Sequence, residues 1–185
     1  MSNIELSEQE GIRRNSLKRL RELGIDPYPA AEYKVNATAT EIKENFDAEK
    51  KNFQDVVFAG RIMSSRIMGK ASFAELKDGS GRMQIYINRD EICAGEDKTM
   101  YNDVFKKLLD IGDIIGVRGV VFKTQVGETS IMVKELTLLS KALKPMPIVK
   151  VDAEGKSHDA FSDAELRYRQ RYVDLMVNDH VKDTF

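Results

Sequence analysis

Recognition of an unpaired base takes a flat surface for stacking and an amide or carboxylate that matches the base edge. Two short runs supply both. Phe73 sits in Ala71-Ser72-Phe73-Ala74-Glu75-Leu76 and Gln84 in Arg82-Met83-Gln84-Ile85-Tyr86, with Asp78-Gly79-Ser80-Gly81 between them. As strands, their two-residue alternation turns Phe73 and Glu75 to one face and Ala74 and Leu76 to the other. Pairing about the turn then brings Gln84 to the face of Phe73 and leaves Leu76, Met83, Ile85 and Ile87 to line an interior. Arg61 and Arg66 lie just upstream and flank this surface with positive charge. Stacking is worth about 1 to 3 kcal/mol per base, and an amide can choose a uracil edge over a cytosine edge. A strand phenylalanine more often belongs to a core, and a surface glutamine commonly has no special role. Spacing alone therefore leaves both readings open.

The distribution of charge adds to this. The chain of 185 residues carries 29 Lys and Arg against 30 Asp and Glu, a balance that argues against a generally sticky nucleic-acid binder. The charges are segregated, however. Arg13, Arg14, Lys18, Arg19 and Arg21 fall together with no acid among them, whereas Asp90, Glu91, Glu96, Asp97 and Asp103 gather elsewhere. A nearly neutral chain of this kind can show one basic face to a phosphate backbone. The basic helix surface reads equally as an ordinary solvated face.

Little else in the chain points to catalysis. Met68-Gly69-Lys70-Ala71-Ser72 has too few glycines for a phosphate-binding loop. Cys93 is the one cysteine, a free thiol, and with His158 and His180 the chain offers no cluster of soft metal ligands. Glu128, beside Gly127, is a hairpin residue whose turn could lean over the Phe73 surface. Apolar runs such as Val56-Val57-Phe58-Ala59 fall far short of the roughly 20 residues of a membrane span. The start Met1-Ser2-Asn3-Ile4-Glu5 lacks a basic leader with an apolar block, so no membrane association and a cytoplasmic location are expected.

The elements that must position these residues are legible in outline. Ser7-Glu8-Gln9-Glu10 has the form of a capping box opening a helix to about Glu22, stopped at Gly24 and by Pro27 and Pro29. Thr38-Ala39-Thr40-Glu41 opens a second, short helix toward Phe46. The pattern then predicts strands at Val56 to Ser65, Ala71 to Lys77, Gly81 to Ile87, Asp113 to Lys123 and Thr129 to Leu139, with turns at Asp78 to Gly81 and at Val126-Gly127-Glu128. Between the third and fourth strands, Val104, Leu108 and Leu109 recur at helical spacing in Asn102 to Leu109. Three strands, a helix and two strands is the order of an OB fold, a mainly β, five-stranded barrel whose open face commonly holds single-stranded nucleic acid. Gly60 and Gly69 fall where strands would bend sharply. The expected organisation is a helical extension over 1–54, the barrel over 55–144, a polar, mobile linker over 145–162 and a new helix from Asp163 over 163–185. The last helix runs out at Phe185 with nothing following to pack against, as in a truncated chain.

Several runs resemble class II lysyl-tRNA synthetases: Ala59-Gly60-Arg61-Ile62-Met63-Ser64-Ser65-Arg66-Ile67-Met68-Gly69-Lys70-Ala71-Ser72-Phe73, Asp78-Gly79-Ser80-Gly81-Arg82-Met83-Gln84, Leu139-Ser140-Lys141-Ala142-Leu143-Lys144-Pro145-Met146-Pro147 and Arg167-Tyr168-Arg169-Gln170-Arg171-Tyr172-Val173-Asp174-Leu175. The resemblance spans Arg13 to Phe185. It implies the anticodon-binding region of a cytoplasmic homodimer that uses ATP and magnesium to make lysyl-adenylate and passes lysine to lysine tRNA. It further implies that Phe73 stacks on an anticodon uridine, Gln84 bonds its edge, Arg61 and Arg66 support the base or its phosphate, and Glu128 reads the neighbouring base. Arg13, Arg14, Lys18 and Arg19 would lie beside the anticodon stem. The segment Glu91 to Met100 is longer and more acidic than is usual in the family, Lys150 to Phe161 departs from its usual link, and Thr129 stands where leucine is common. The rival readings are a general single-strand-binding OB module, for which Tyr86 and Phe122 would be further platforms, and a purely structural barrel. Because the family's three catalytic signatures would all fall beyond Phe185, the chain alone is expected to give no lysine-dependent pyrophosphate exchange with ATP. Detectable exchange by the purified chain would contradict this.

Overall fold

Both expected capping boxes form. In a computed structural model that describes residues 6–147, 150–151, 157–158, 161 and 163–185, Ser7 Oγ accepts from Glu10 N at 3.3 Å while the Glu10 carboxylate accepts from Ser7 N at 3.0 Å, opening α1 (Glu8–Glu22). Thr38 and Glu41 repeat the arrangement at α2 (Ala39–Asn45). Gly24, at φ +77°, takes the left-handed conformation just past the C-cap of α1, where glycine meets no steric cost.

Five strands follow: β1 (Val56–Met68), β2 (Ala71–Lys77), β3 (Arg82–Asn88), β4 (Ile114–Lys123) and β5 (Thr129–Ser140). They close into a barrel in the order β1-β2-β3-β5-β4, with β1 returning to pair with β4. Every contact in the ring is antiparallel except β3 with β5, which run parallel. A short α3 (Arg89–Ile92), whose C-cap is the buried Cys93, and a plug helix over Met100–Leu108 occupy the β3 to β4 connection.

Alternation decides the inside of the barrel. Leu76, Met83, Ile85 and Ile87 are fully buried, as expected, together with Ile115, Val117, Ile131 and Val133 from the later strands. Each such side chain contributes roughly 1.5 to 3 kcal/mol relative to leaving it in water. The plug helix adds Tyr101, Val104, Phe105 and Leu108, and Tyr101 satisfies its buried hydroxyl with Ser72 Oγ at 2.8 Å and the Gly69 carbonyl at 3.2 Å. The N-terminal segment shares this core, through Leu20, Ala37, Ala39 and Ile42.

Three boundaries depart from the sequence reading. β1 continues three residues past Ser65, because Arg66, Ile67 and Met68 pair with Phe73, Ser72 and Ala71 across a tight turn in which Gly69 takes φ +65°. Its long course passes close to β2 at Gly60, where a Cβ would lie 3.0 Å from that of Leu76. The plug helix begins at Met100 and is wound wide, with Leu109 N bonding to Val104 O at 3.0 Å. The C-terminal helix is broken into α4 (Ala164–Arg169), α5 (Arg171–Val177) and α6 (Asp179–Thr184). Gln170, at φ −119°, makes the first break. Residues seven apart in a straight helix stand about 10 Å apart along its axis. The break lets Arg167 Nε reach the buried Asp174 carboxylate at 3.0 Å, beside Arg171 Nη1 at 2.7 Å and Asn178 Nδ2 at 2.8 Å. Phe185 does find a partner, since the Arg171 guanidinium lies 5.4 Å from its ring.

The chain divides into two compact units, Met1–Lys144 and Pro145–Phe185. Much of the expected mobile linker lies outside the described residues, as do Met1 to Glu5; Lys150–Val151 and Ser157–His158 pair as a two-stranded ribbon, β6 with β7.

One polar cluster fastens the first unit. Asp113, fully buried, accepts from Lys141 Nζ at 2.8 Å, from Ala142 N at 2.7 Å and from Asp110 N at 2.8 Å. Arg13 Nη2 donates to the Ile111 carbonyl at 2.9 Å, and its Nη1 to those of Ala142 and Lys144. The loop before β4, the end of β5 and helix α1 are thus held by one carboxylate and one guanidinium. Burial pushes the Asp113 carboxyl above the usual carboxylate range despite the opposing Lys141 charge. Breaking a buried ion pair can cost about 3 to 5 kcal/mol; here loss of the Asp113 carboxylate strips the Ala142 and Asp110 N–H groups of their acceptor and leaves the buried Lys141 with Asp110 alone. Asp113→Ala is therefore expected to lower unfolding stability by that order in urea titrations. A loss under 1 kcal/mol would show that the cluster is not a fastener.

Candidate nucleic-acid interface

Two rungs of the outer sheet surface build the site. Phe73 stands opposite Arg66 on β1 and Tyr86 on β3; Glu75 stands opposite Ser64 and Gln84. The alternation that buries Ala74, Leu76, Met83 and Ile85 therefore turns Phe73, Glu75, Gln84 and Tyr86 outward on one face, as the sequence implies.

A groove of about 470 Å³ opens over these rungs, lined by Ser64, Ser65, Arg66, Phe73, Ala74, Glu75, Gln84, Thr124 and Val126. That volume lies within the roughly 300 to 1,000 Å³ of small-ligand sites. The Phe73 ring is backed by Tyr86 at 5.1 Å between centroids, and Tyr86 by Phe122 at 6.0 Å in an edge-on arrangement. Neither Tyr86 nor Phe122 lines the groove, so the row supports one platform instead of offering three. Arg66 is exposed at the rim. The Glu75 carboxylate is engaged by Arg82 at 2.7 Å, and the Gln84 side chain opposite it lines the groove as an uncharged polar group.

The turn between β4 and β5 forms the far wall. Gly127 at φ +85° and the Gly127 N to Thr124 O bond at 2.9 Å shape it, and Val126 at its tip is 91% exposed. The turn leans over the groove as anticipated, but Thr124 and Val126 line it. Glu128 instead stands 3.8 Å from Lys43 of α2, with both side chains about half exposed. Thr124 and Val126 carry no signal in the sequence because they are ordinary residues four and two places before Glu128, and only the hairpin geometry carries them to the groove.

Helix α2 is anchored to the β2 to β3 turn by Asp78, whose carboxylate accepts from Ala39 N at 2.9 Å and Gly81 N at 2.7 Å. Partial burial pushes its carboxyl up, but the backbone donors of Ala39 and Gly81 and the Ser80 hydroxyl outweigh burial and hold it below the usual range. That anchoring keeps Lys43 beside Glu128.

Two expected residues are corrected. Arg61 does not reach the groove: its Nη1 donates to the Gly112 carbonyl at 2.8 Å, because position 61 lies where β1 leaves β2 for β4, and its neighbours across the ladders are Lys77 and Ile114. Arg13 is 6% exposed and committed to three backbone carbonyls, so it holds the fold together and presents nothing to a phosphate. Helical periodicity places it on the inner stripe with Ser16 and Leu20. Arg14, Lys18 and Arg19 are exposed on the outer side, Arg19 paired with Glu22 at 3.2 Å.

Comparisons with known proteins point to the same barrel fold. Residues 56–139 match the family model of the tRNA anti-codon OB-fold nucleic acid binding domain. The whole chain is 63% identical over 186 residues to a lysine--tRNA ligase of Porphyromonas gingivalis, of which it covers 32%. It is 62% identical over 181 residues to a lysine--tRNA ligase of Christiangramia forsetii, with 98% of this chain and 31% of that protein covered. Over nearly its whole length the chain is similar to lysine--tRNA ligases, and its barrel is similar to an OB-fold nucleic acid binding domain. A third relative, the lysine--tRNA ligase of Azobacteroides pseudotrichonymphae, is 57% identical over 97% of this chain and 36% of its own length. The chain thus spans about a third of the length of the curated relatives it matches.

The two arginines of β1 separate experimentally. Arg66→Ala is expected to weaken binding of an RNA oligonucleotide and to lower the slope of its salt dependence by about one, with the urea midpoint unchanged. Arg61→Ala is expected to move the urea midpoint and leave the salt slope alone. The reverse pattern would mean that the groove is drawn around the wrong arginine.

Proposed function

We propose that this chain is the anticodon-reading part of a lysine--tRNA ligase. An anticodon uridine stacks on Phe73, Gln84 bonds its edge, Arg66 supports its phosphate, and Glu128, released from Lys43, reads the neighbouring base. Arg14, Lys18 and Arg19 contact the backbone of the anticodon stem. The observation that carries this reading is the groove in which the Phe73 ring, the Gln84 amide and the exposed Arg66 guanidinium converge. Its size suits one nucleobase, and its donors suit a uracil edge.

The whole enzyme, in this reading, is a cytoplasmic homodimer that activates lysine with ATP and magnesium and transfers it to lysine tRNA. Among the described residues no group of three or more His, Cys, Asp or Glu is placed to hold a metal. No helix among the described residues is long and apolar enough to cross a membrane.

A general single-strand binder would need several open aromatic platforms along a charged path. Tyr86 and Phe122 are spent on each other and on Phe73, which favours a site for one base over a sequence-indifferent track.

Binding of the chain to lysine tRNA, and to the same tRNA with its central anticodon uridine replaced, tests the reading when Phe73→Ala is run beside the parent. The base change and the loss of Phe73 are each expected to weaken binding by about 1 to 3 kcal/mol, and not to add when combined. Equal binding in every combination, fading only with salt, would reduce the chain to a phosphate binder.

A further inference from the structure

The hairpin between β4 and β5 is fastened where it turns. Thr124 N donates to the Glu128 carbonyl at 2.9 Å, Gly127 N to the Thr124 carbonyl at 2.9 Å, and Glu128 N to Thr124 Oγ1 at 3.1 Å. Gly127, at φ +85°, supplies the left-handed step that closes the turn. Gln125 and Val126 are its central residues, a place where glycine and small polar side chains are usual. Val126 is instead β-branched and apolar, and at 91% it is the most exposed large hydrophobic side chain among the described residues. Folding does not bury it.

Its placement gives those methyls a use. Val126 lines the same groove as Phe73, on the wall that leans over the sheet. Ala74, the one other apolar residue of the lining, is buried and turned to the core, so Phe73 and Val126 are the apolar side chains that the groove offers to an occupant. A base laid on the Phe73 ring has one face covered and the other still in water. Apolar groups meeting that second face remove further area from water, which is favourable whatever the base. A β-branched side chain on a fastened turn suits the task, because its single χ angle is already restricted and little freedom is lost on contact.

We propose that Val126 is a further binding residue of this site: its methyls close on the face of the base that Phe73 leaves open, so that the base is clamped between sheet and hairpin. The proposal rests on the reading of the groove as a one-base site. It adds grip without choice, since Val126 meets the face of the base and not its edge.

The test uses two RNA hairpins, the lysine anticodon stem-loop with a central uridine and the same stem-loop with that base removed, titrated against the parent chain, Val126→Ala and Val126→Thr. The parent is expected to lose about tenfold or more when the base is removed. Val126→Ala should weaken binding of the uridine hairpin by about three- to tenfold and leave binding of the abasic hairpin, the salt slope and the urea midpoint where they were. Val126→Thr, which keeps the branched shape and one methyl, should fall between. A parent that binds both hairpins alike overturns the one-base reading and the clamp with it. A parent that tells them apart, beside a Val126→Ala chain that binds the uridine hairpin as tightly as the parent does, overturns the clamp alone. Equal weakening of both hairpins by Val126→Ala also overturns it, because the loss then does not come from the base. The parent complex gives a second measurement by nuclear magnetic resonance, in which nuclear Overhauser contacts are expected between the Val126 methyls and the carbon-bound protons of the central uracil. Their absence in a saturated complex overturns the clamp.

Discussion

The register in which β3 lies parallel to β5 is the constraint on which both barrel and site depend. It is the one parallel contact in the ring, and it lets three antiparallel strands close with the two that follow the plug helix. Because side chains alternate with period two, a slip of one residue would turn Ile85 and Ile87 to solvent and bury Gln84 and Tyr86. The burial of Ile85 against Ile131 and of Ile87 against Val133 therefore also fixes which side chains face the groove. Core packing and the shape of the groove are two faces of one register.

The connections hold that register from outside. Asp113 and Arg13 gather the loop before β4, the end of β5 and α1, whereas Asp78 ties α2 to the β2 to β3 turn below Gln84. These carboxylates and the guanidinium bond chiefly to backbone groups that strands and helices leave unpaired at their ends. The groove is thus carried on rigid strands with its rim set by anchored turns, a suitable basis for reading a base by geometry. Among the arginines, those that the ladders or the helix stripe turn inward, Arg13 and Arg61, hold the fold, whereas Arg14 and Arg66 are turned outward to solvent.

Much of this was legible in the sequence. The capping residues Ser7 and Thr38, the interior set Leu76, Met83, Ile85 and Ile87, and the shared face of Phe73 and Gln84 all follow from local periodicity and turn chemistry. What escaped was set by distant partners. Arg13 and Arg61 look like surface cations until the carbonyls of Ala142, Ile111 and Gly112 are brought to them by closure. The break at Gln170 answers to Asp174, and the entry of Thr124 and Val126 into the groove answers to the curl of a hairpin.

The central claim is that RNA enters the β1 to β3 groove and is read there. Titrating the isotope-labelled chain with the uridine-containing anticodon stem-loop and following amide and side-chain resonances tests it most directly. Perturbations should concentrate at Arg66, Phe73, Gln84, Thr124 and Val126, with the Gln84 side-chain N–H shifting in step with the Phe73 ring, and with Arg13 and Arg61 unmoved. Shifts confined to α1, or scattered over every basic residue with Phe73 and Gln84 silent, would contradict it.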